Sequence, residues 1–322
     1  MRDEIPLIDI ERWVTGSADE RAELAAAVDG ALRTSGFLLV SGHGIAPSVR
    51  GDLRAAAHAF FASPPEVKER YATFVGGRGW VPPGKEANAY YGEVPDAAKA
   101  DLKESWASGR QLVTGDPDVD ADWFAPNVWP AEVPAFEPAA TRFAEEGFAL
   151  FITLLEIFDE ALGLPLGWFA GKVQRTPYTV GINHYPSMRV TGPPVAGQYR
   201  IAPHTDWGTI TILDRQLGAG GLQVERLDGS WIDAPWVDDA FTINIGDLLA
   251  RWTGDRWRST RHRVLPPQTE APDEALMSLV LFYDADVDAV VEPLPPPIGN
   301  VCDHPPITAG DYLRERVAAA AV

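Results

Sequence analysis

From residue 179 onward the chain breaks into short β-like runs, at 179–185, 209–213, 222–224, 241–245, 263–265 and 277–283. Gly218-Ala219-Gly220-Gly221 and Asp228-Gly229 punctuate them, and such clusters between apolar runs mark the turns between strands. A strand this short cannot bury its own apolar face, so a series of them must pack sheet against sheet. The second half therefore predicts a sandwich or jelly roll.

The first half reads as helices and loops. Ser17-Ala18-Asp19-Glu20 has the form of a capping box and starts a helix that runs to Gly36. Residues 49–61 look helical as well, and Ser63-Pro64-Pro65-Glu66 repeats the capping signal with proline in the first turn. In a long helix over 138–162, Phe143, Gly147, Leu150, Leu154 and Phe158 form one apolar stripe, and Gly163 closes it. That stripe is core. Residues 76–130, rich in Gly, Pro and aromatics without periodicity, read as long functional loops. No repeat or linker interrupts the chain. One domain is expected over 1–322: a mainly helical part (1–175), a jelly-roll core carrying the metal site (176–295), and a C-terminal tail and helix (296–322).

Composition removes several classes of function. A formal charge of −19 leaves no excess of Lys and Arg to neutralise phosphates, which argues against nucleic acid and against an anionic membrane surface. No apolar run approaches the roughly 20 residues that span a bilayer, and the N-terminus lacks the apolar core of a secretory signal. A cytoplasmic protein, monomeric or weakly homo-oligomeric, is expected. Cys302 is the only cysteine, so neither an internal disulfide nor a thiolate-cluster metal site can form. Any metal must be held by His and carboxylates.

Of six histidines, two have settings that matter. His204-Thr205-Asp206 places an imidazole and a carboxylate two residues apart at the start of a β-like run, where both can point to one side. His262 lies on another apparent strand, within Ser259-Thr260-Arg261-His262-Arg263-Val264. Two imidazoles and one carboxylate on one face of an ion leave adjacent positions open, the arrangement that suits a non-haem Fe(II) oxygenase. His43 in its Gly-His-Gly turn reads as a structural hydrogen bonder, His58 as packed and His304 as solvated. His184 alternates with Tyr185 and should face away from it.

The surroundings of these residues carry the argument further. Asn183-His184-Tyr185-Pro186, Gly197-Gln198-Tyr199-Arg200, His204-Thr205-Asp206, Gly220-Gly221-Leu222-Gln223-Val224, Asn244-Ile245-Gly246-Asp247 and the segment around His262 occur in one order. Ile5-Pro6-Leu7-Ile8-Asp9, Gly42-His43-Gly44-Ile45, Asp101-Leu102-Lys103-Glu104 and Thr308-Ala309-Gly310 flank them. This ordered set, spread over nearly the whole chain, resembles the isopenicillin N synthase-like family of Fe(II)- and 2-oxoglutarate-dependent dioxygenases.

The resemblance implies an α+β fold with a double-stranded β-helix (jelly-roll) core flanked by helices. It implies Fe(II) on His204, Asp206 and His262, with 2-oxoglutarate and O2 as cosubstrates and a small organic molecule oxidised at a C–H bond by hydroxylation, desaturation or cyclisation. Tyr185 and Ser278 match residues that hold the far carboxylate of 2-oxoglutarate, with Asn183 beside them. Phe282, Trp80, Tyr91 (next to Tyr90), Trp106 and Arg200 are candidates for the substrate pocket. The pool of 11 Trp leans towards an apolar or aromatic substrate.

One departure has physical weight. Where relatives read Arg-x-Ser, this chain reads Leu276-Met277-Ser278, and no arginine occurs between Arg263 and Arg314. A guanidinium–carboxylate contact contributes about 1.5–3 kcal/mol. Three readings follow. Another basic side chain reaches in, with Arg200, Arg189 and His184 as candidates; or the substrate itself supplies the electrons, as in isopenicillin N synthase; or the chain is a non-catalytic jelly-roll binding protein. A zinc hydrolase is disfavoured, because no general base stands beside the triad.

Overall fold

In the computed structural model, which describes residues 4–87 and 96–320, two sheets face each other. The larger has eight strands: β1 (Leu7–Asp9), β2 (Phe37–Ser41), β3 (Gly79–Val81), β4 (Glu104–Gly109), β5 (Tyr178–Tyr185), β7 (Ile210–Arg215), β10 (Phe241–Ile245) and β12 (Leu276–Tyr283). Their spatial order is β1-β2-β10-β7-β12-β5-β4-β3. The smaller sheet is β6 (Ile201–His204), β11 (His262–Val264), β8 (Leu222–Glu225) and β9 (Trp231–Asp233), in the order β6-β11-β8-β9. Consecutive strands alternate between the sheets from β5 to β8, which is how a jelly roll is wound.

The half expected to be helices and loops supplies four strands of the larger sheet. The reason is visible in β2, whose first four residues are all buried. Phe37 and Leu39 pack with Leu222 and Val224 of the smaller sheet, while Leu38 and Val40 join the core beneath the helices. A strand covered on both faces reads as a continuous apolar run without alternation. β4, with the sequence Glu-Ser-Trp-Ala-Ser-Gly, lacks the β-branched residues that signal a strand.

The helices lie against the outer face. Ser17 and Glu20 form the full capping box of the Ala18–Thr34 helix. After it, Gly36 adopts φ 71°, where a side chain would strike the Arg258 carbonyl. Only a left-handed residue without Cβ lets the chain turn here into β2. The Phe136–Leu162 helix buries the expected stripe: Phe143, Leu154 and Phe158 are wholly buried, each contributing roughly 1.5–3 kcal/mol. Phe151 stacks on Tyr283 of β12 at 4.3 Å, and Gly163 ends the helix in the left-handed conformation. The second capping signal is not realised. A short Pro65–Lys68 helix does start there with proline in its first turn, but its N-cap is Pro64, which makes no side-chain hydrogen bond, and a 3-10 turn over Glu69–Tyr71 follows.

Strand alternation fixes what faces the space between the sheets. On β5 it is Asn183 and Tyr185; on β7 it is Thr211, Leu213 and Arg215; on β12 it is Leu276, Ser278, Val280 and Phe282.

Candidate active site

β6 and β11 pair antiparallel with His204 directly opposite His262. Register, rather than sequence proximity, therefore brings the imidazoles together, with ring centroids 4.3 Å apart. Asp206 follows in the connection after β6, not on the strand itself. Its Oδ1 lies 3.6 Å from His204 Nε2 and 3.7 Å from His262 Nε2. One ligand atom from each residue falls within 4.8 Å of the other two. An ion bound at roughly 2.1 Å reaches atoms so spaced.

Each remaining heteroatom of the triad is already engaged. His204 Nδ1 bonds to the Ala202 carbonyl at 2.8 Å and His262 Nδ1 to the Thr260 carbonyl at 3.1 Å, so both rings turn Nε2 towards the site. Asp206 Oδ2 accepts from Thr211 Oγ1 at 2.5 Å and from Asn244 Nδ2 at 2.8 Å, leaving Oδ1 free. Such outer partners fix tautomer and orientation in metal centres. Burial, with His262 alongside, pushes His204 down to about 4, so at neutral pH it is the uncharged imidazole that a metal requires. Burial pushes the Asp206 carboxyl up, but His262, His204, Asn244 and Thr211 outweigh that and hold it below the ordinary range. The donor set fits Fe(II).

The triad opens on a cavity of about 690 Å³, a volume that includes the open solvent at its mouth. Asn183, Tyr185, Ser278 and Phe282 all line it, as the sequence suggests. Tyr185 is buried and its phenol is pushed up by desolvation, while the Ser278 hydroxyl hydrogen-bonds to it.

Three of the expected pocket residues lie elsewhere. Trp80 and Trp106 pair across β3 and β4, on the opposite face from Ser105 and Ala107, and pack in the helix-covered core. With Trp13, Trp252 and Trp257 also buried, five of the eleven tryptophans serve the core, and none of the eleven lines the cavity beside the triad. Arg200 is wholly buried, bonded to the Gly220 carbonyl at 2.8 Å and to Glu274 at 3.0 Å. Its charge is already matched. Tyr90 and Tyr91 lie outside the described residues.

The other bases suggested for the missing arginine are matched too. Arg189 pairs with Asp273. His184 turns to the helical side and bonds Glu104. His43 bonds the Asp239 carbonyl, whereas His58 is exposed rather than packed. A second ligand-like group, Asp255, Cys302 and His304, is accounted for by hydrogen bonds from Arg251 to His304 and between His304 and Asp255.

Sequence reading missed Thr211, Asn244 and Arg215. The 209–213 run stops two residues short of β7, and extending its alternation from Thr211 through Leu213 turns Arg215 inward. Also missed is Lys103, which bonds Glu86 at 2.8 Å and Asn183 at 3.0 Å, with Ser105 on the other Glu86 oxygen.

Family models agree with this geometry. Residues 177–285 match the 2OG-Fe(II) oxygenase superfamily, and residues 5–132 match the N-terminal model described as non-haem dioxygenase in morphine synthesis. The chain is 37% identical to validamycin A dioxygenase of Streptomyces hygroscopicus subsp. limoneus, over 98% of this chain and 86% of that one. The chain belongs to the 2-oxoglutarate–Fe(II) oxygenase superfamily. Another member, the 2-oxoglutarate-dependent dioxygenase thnC of Trichoderma harzianum, is 30% identical over 91% of this chain and 88% of that protein. A full-length Neurospora crassa protein, solved in complex with alpha-KG and thymine, superimposes with a TM-score of 0.84 at 28% identity, covering 100% of this chain and 99% of that one. The protein is thus an Fe(II)/2-oxoglutarate oxygenase acting on small organic molecules. Among the described residues, no helix is long and apolar enough to cross a membrane.

Proposed function

We propose that His204, Asp206 and His262 hold the iron, and that Tyr185, Ser278 and Asn183 flank the cosubstrate in the adjoining cavity. One observation carries this reading. The triad presents three free ligand atoms to the cavity, while every other heteroatom of those side chains is bonded to protein. When bound, iron, 2-oxoglutarate and O2 supply the oxidising power, with succinate and CO2 as products. The protein's part is to position and to exclude water. Leu213, Val280 and Leu276 wall the cavity with apolar surface, and Phe282 borders the space for the carbon to be oxidised.

A substrate bearing hydrogen-bonding groups is in keeping with Asn183 and Gln216 on the cavity wall and with validamycin A and thymine, named for two relatives. We further read the chain as one domain, cytoplasmic, monomeric or weakly homo-oligomeric, and without nucleic-acid partners, on the strength of its charge and shared sheet.

Anaerobic reconstitution with Fe(II), followed by titration with 2-oxoglutarate, is expected to develop the weak visible charge-transfer band of the chelate. His204→Ala is expected to lose iron binding. A His204→Ala protein with full iron affinity overturns the ligand assignment.

A further inference from the structure

A cosubstrate with two carboxylates brings more negative charge into this cavity than the metal can offset. Held by the triad, Fe(II) would offset the charge of Asp206 and of one cosubstrate carboxylate. The far carboxylate must enter a recessed, largely apolar space, where an uncompensated charge is costly. Some cation must meet it.

Among the described residues lining the cavity, Arg215 is the one Lys or Arg. Among the described residues no carboxylate pairs with it, although the chain carries an excess of acids. Burial alone pushes its guanidinium down to about 10. Its Nη2 donates to the carbonyls of Ala234 (2.9 Å) and Pro235, and its Nε lies 3.4 Å from Thr242 Oγ1. These neutral contacts orient the fork. Nη1 meets no protein acceptor among the described residues. A desolvated guanidinium held in place by neutral groups, with a free edge, is arranged for an anion.

Register places it beside the other polar groups. Asn183, Ser278 and Arg215 lie in one row across β5, β12 and β7, and Tyr185 sits opposite Leu276 one step along. The nearby cations already face carboxylates, Arg200 on Glu274 and Lys103 on Glu86, and neither lines the cavity. We propose that Arg215, reaching in from β7, fixes the far carboxylate of 2-oxoglutarate together with Ser278 and Tyr185. In this chain the cation has moved to the neighbouring strand, and Leu276 fills the vacated position on β12. The inference rests on the 2-oxoglutarate reading of the site.

The test uses the full chain loaded with Fe(II) under nitrogen, with binding followed by calorimetry and by the chelate band. Two probes are compared: 2-oxoglutarate, and 2-oxopentanoate, which has the same chelating end and no far carboxylate. Arg215→Gln removes the charge but can still donate to the Ala234 or Pro235 carbonyl. It is expected to weaken 2-oxoglutarate binding by about 10- to 100-fold and to leave 2-oxopentanoate within about twofold. Adding Leu276→Arg to Arg215→Gln is expected to restore about tenfold, because Leu276 lines the same cavity. Arg215→Met serves as a second neutral variant if the first does not hold iron. Either variant binding 2-oxoglutarate as tightly as the wild type overturns the role of Arg215 while leaving the cosubstrate reading intact. A wild-type protein that forms no chelate at all overturns both.

Discussion

Asp206 divides its work between two oxygens, one turned towards the His204 and His262 imidazoles and one bonded to Thr211 and Asn244. The Thr211 contact, at 2.5 Å, is the shorter. Thr211→Val keeps the branched shape and removes the donor, so Asp206 is freer to rotate its open oxygen away from the two imidazoles. Iron affinity should fall about 10- to 100-fold, the usual cost of losing an outer partner in a metal site, with a smaller change in thermal stability. Anaerobic Fe(II) titration measures it, and an unchanged affinity would show that Asn244 alone orients the carboxylate. At this scale the triad was legible because its chemistry dictates residue types in a recognisable setting. Arg215 was not, because nothing local marks a strand arginine as facing inward. Only the pairing of β7 with β12 puts it beside Ser278, and that pairing is a tertiary fact.

Elements bounded by chemistry that acts within a few residues were readable. The Ala18–Thr34 helix announces itself by the Ser17 box, and the Phe136–Leu162 helix by its stripe and its closing glycine. β2 and β4 were opaque because burial on both faces, or a Ser/Ala-rich composition, erases alternation. The Phe136–Leu162 helix also shows packing overruling propensity. Glycine in a helix interior costs about 1 kcal/mol relative to alanine, yet Gly147 sits where a Cβ would collide with Leu281 and approach Tyr283 Oη to 3.1 Å. Leu281 and Tyr283 are wholly buried on β12, the strand that also carries Ser278 and Phe282. Gly147→Val is therefore expected to destabilise by about 1–3 kcal/mol through overpacking, read as a lower urea midpoint at unchanged slope. A midpoint equal to the wild type would mean that the helix can shift outward freely.

For the molecule as a whole, the decisive feature is that one sheet is built from both halves of the sequence. β2 closes one flank of the jelly roll by pairing with β10, and β4 closes the other by pairing with β5. Cutting the chain at residue 176 would bare two strand edges at once and strip the helices from the outer face of β12. Exposed flat edges invite association with other chains, and the core would lose the Phe136–Leu162 stripe. A fragment of residues 176–322 contains the triad, Tyr185, Arg215 and Ser278, yet it is expected to aggregate and to bind neither Fe(II) nor 2-oxoglutarate. The full chain should instead melt in one transition. Metal and cosubstrate, by binding only the folded state, should raise that transition as a unit, by about 2.7 kcal/mol at a hundredfold excess over Kd. Differential scanning of the full chain with and without Fe(II) and 2-oxoglutarate, beside size-exclusion chromatography of the fragment, checks both. A soluble, monomeric, iron-binding fragment, or a melt in which ligand shifts only one of two transitions, would show that the jelly roll stands by itself and that the N-terminal strands are an addition to it.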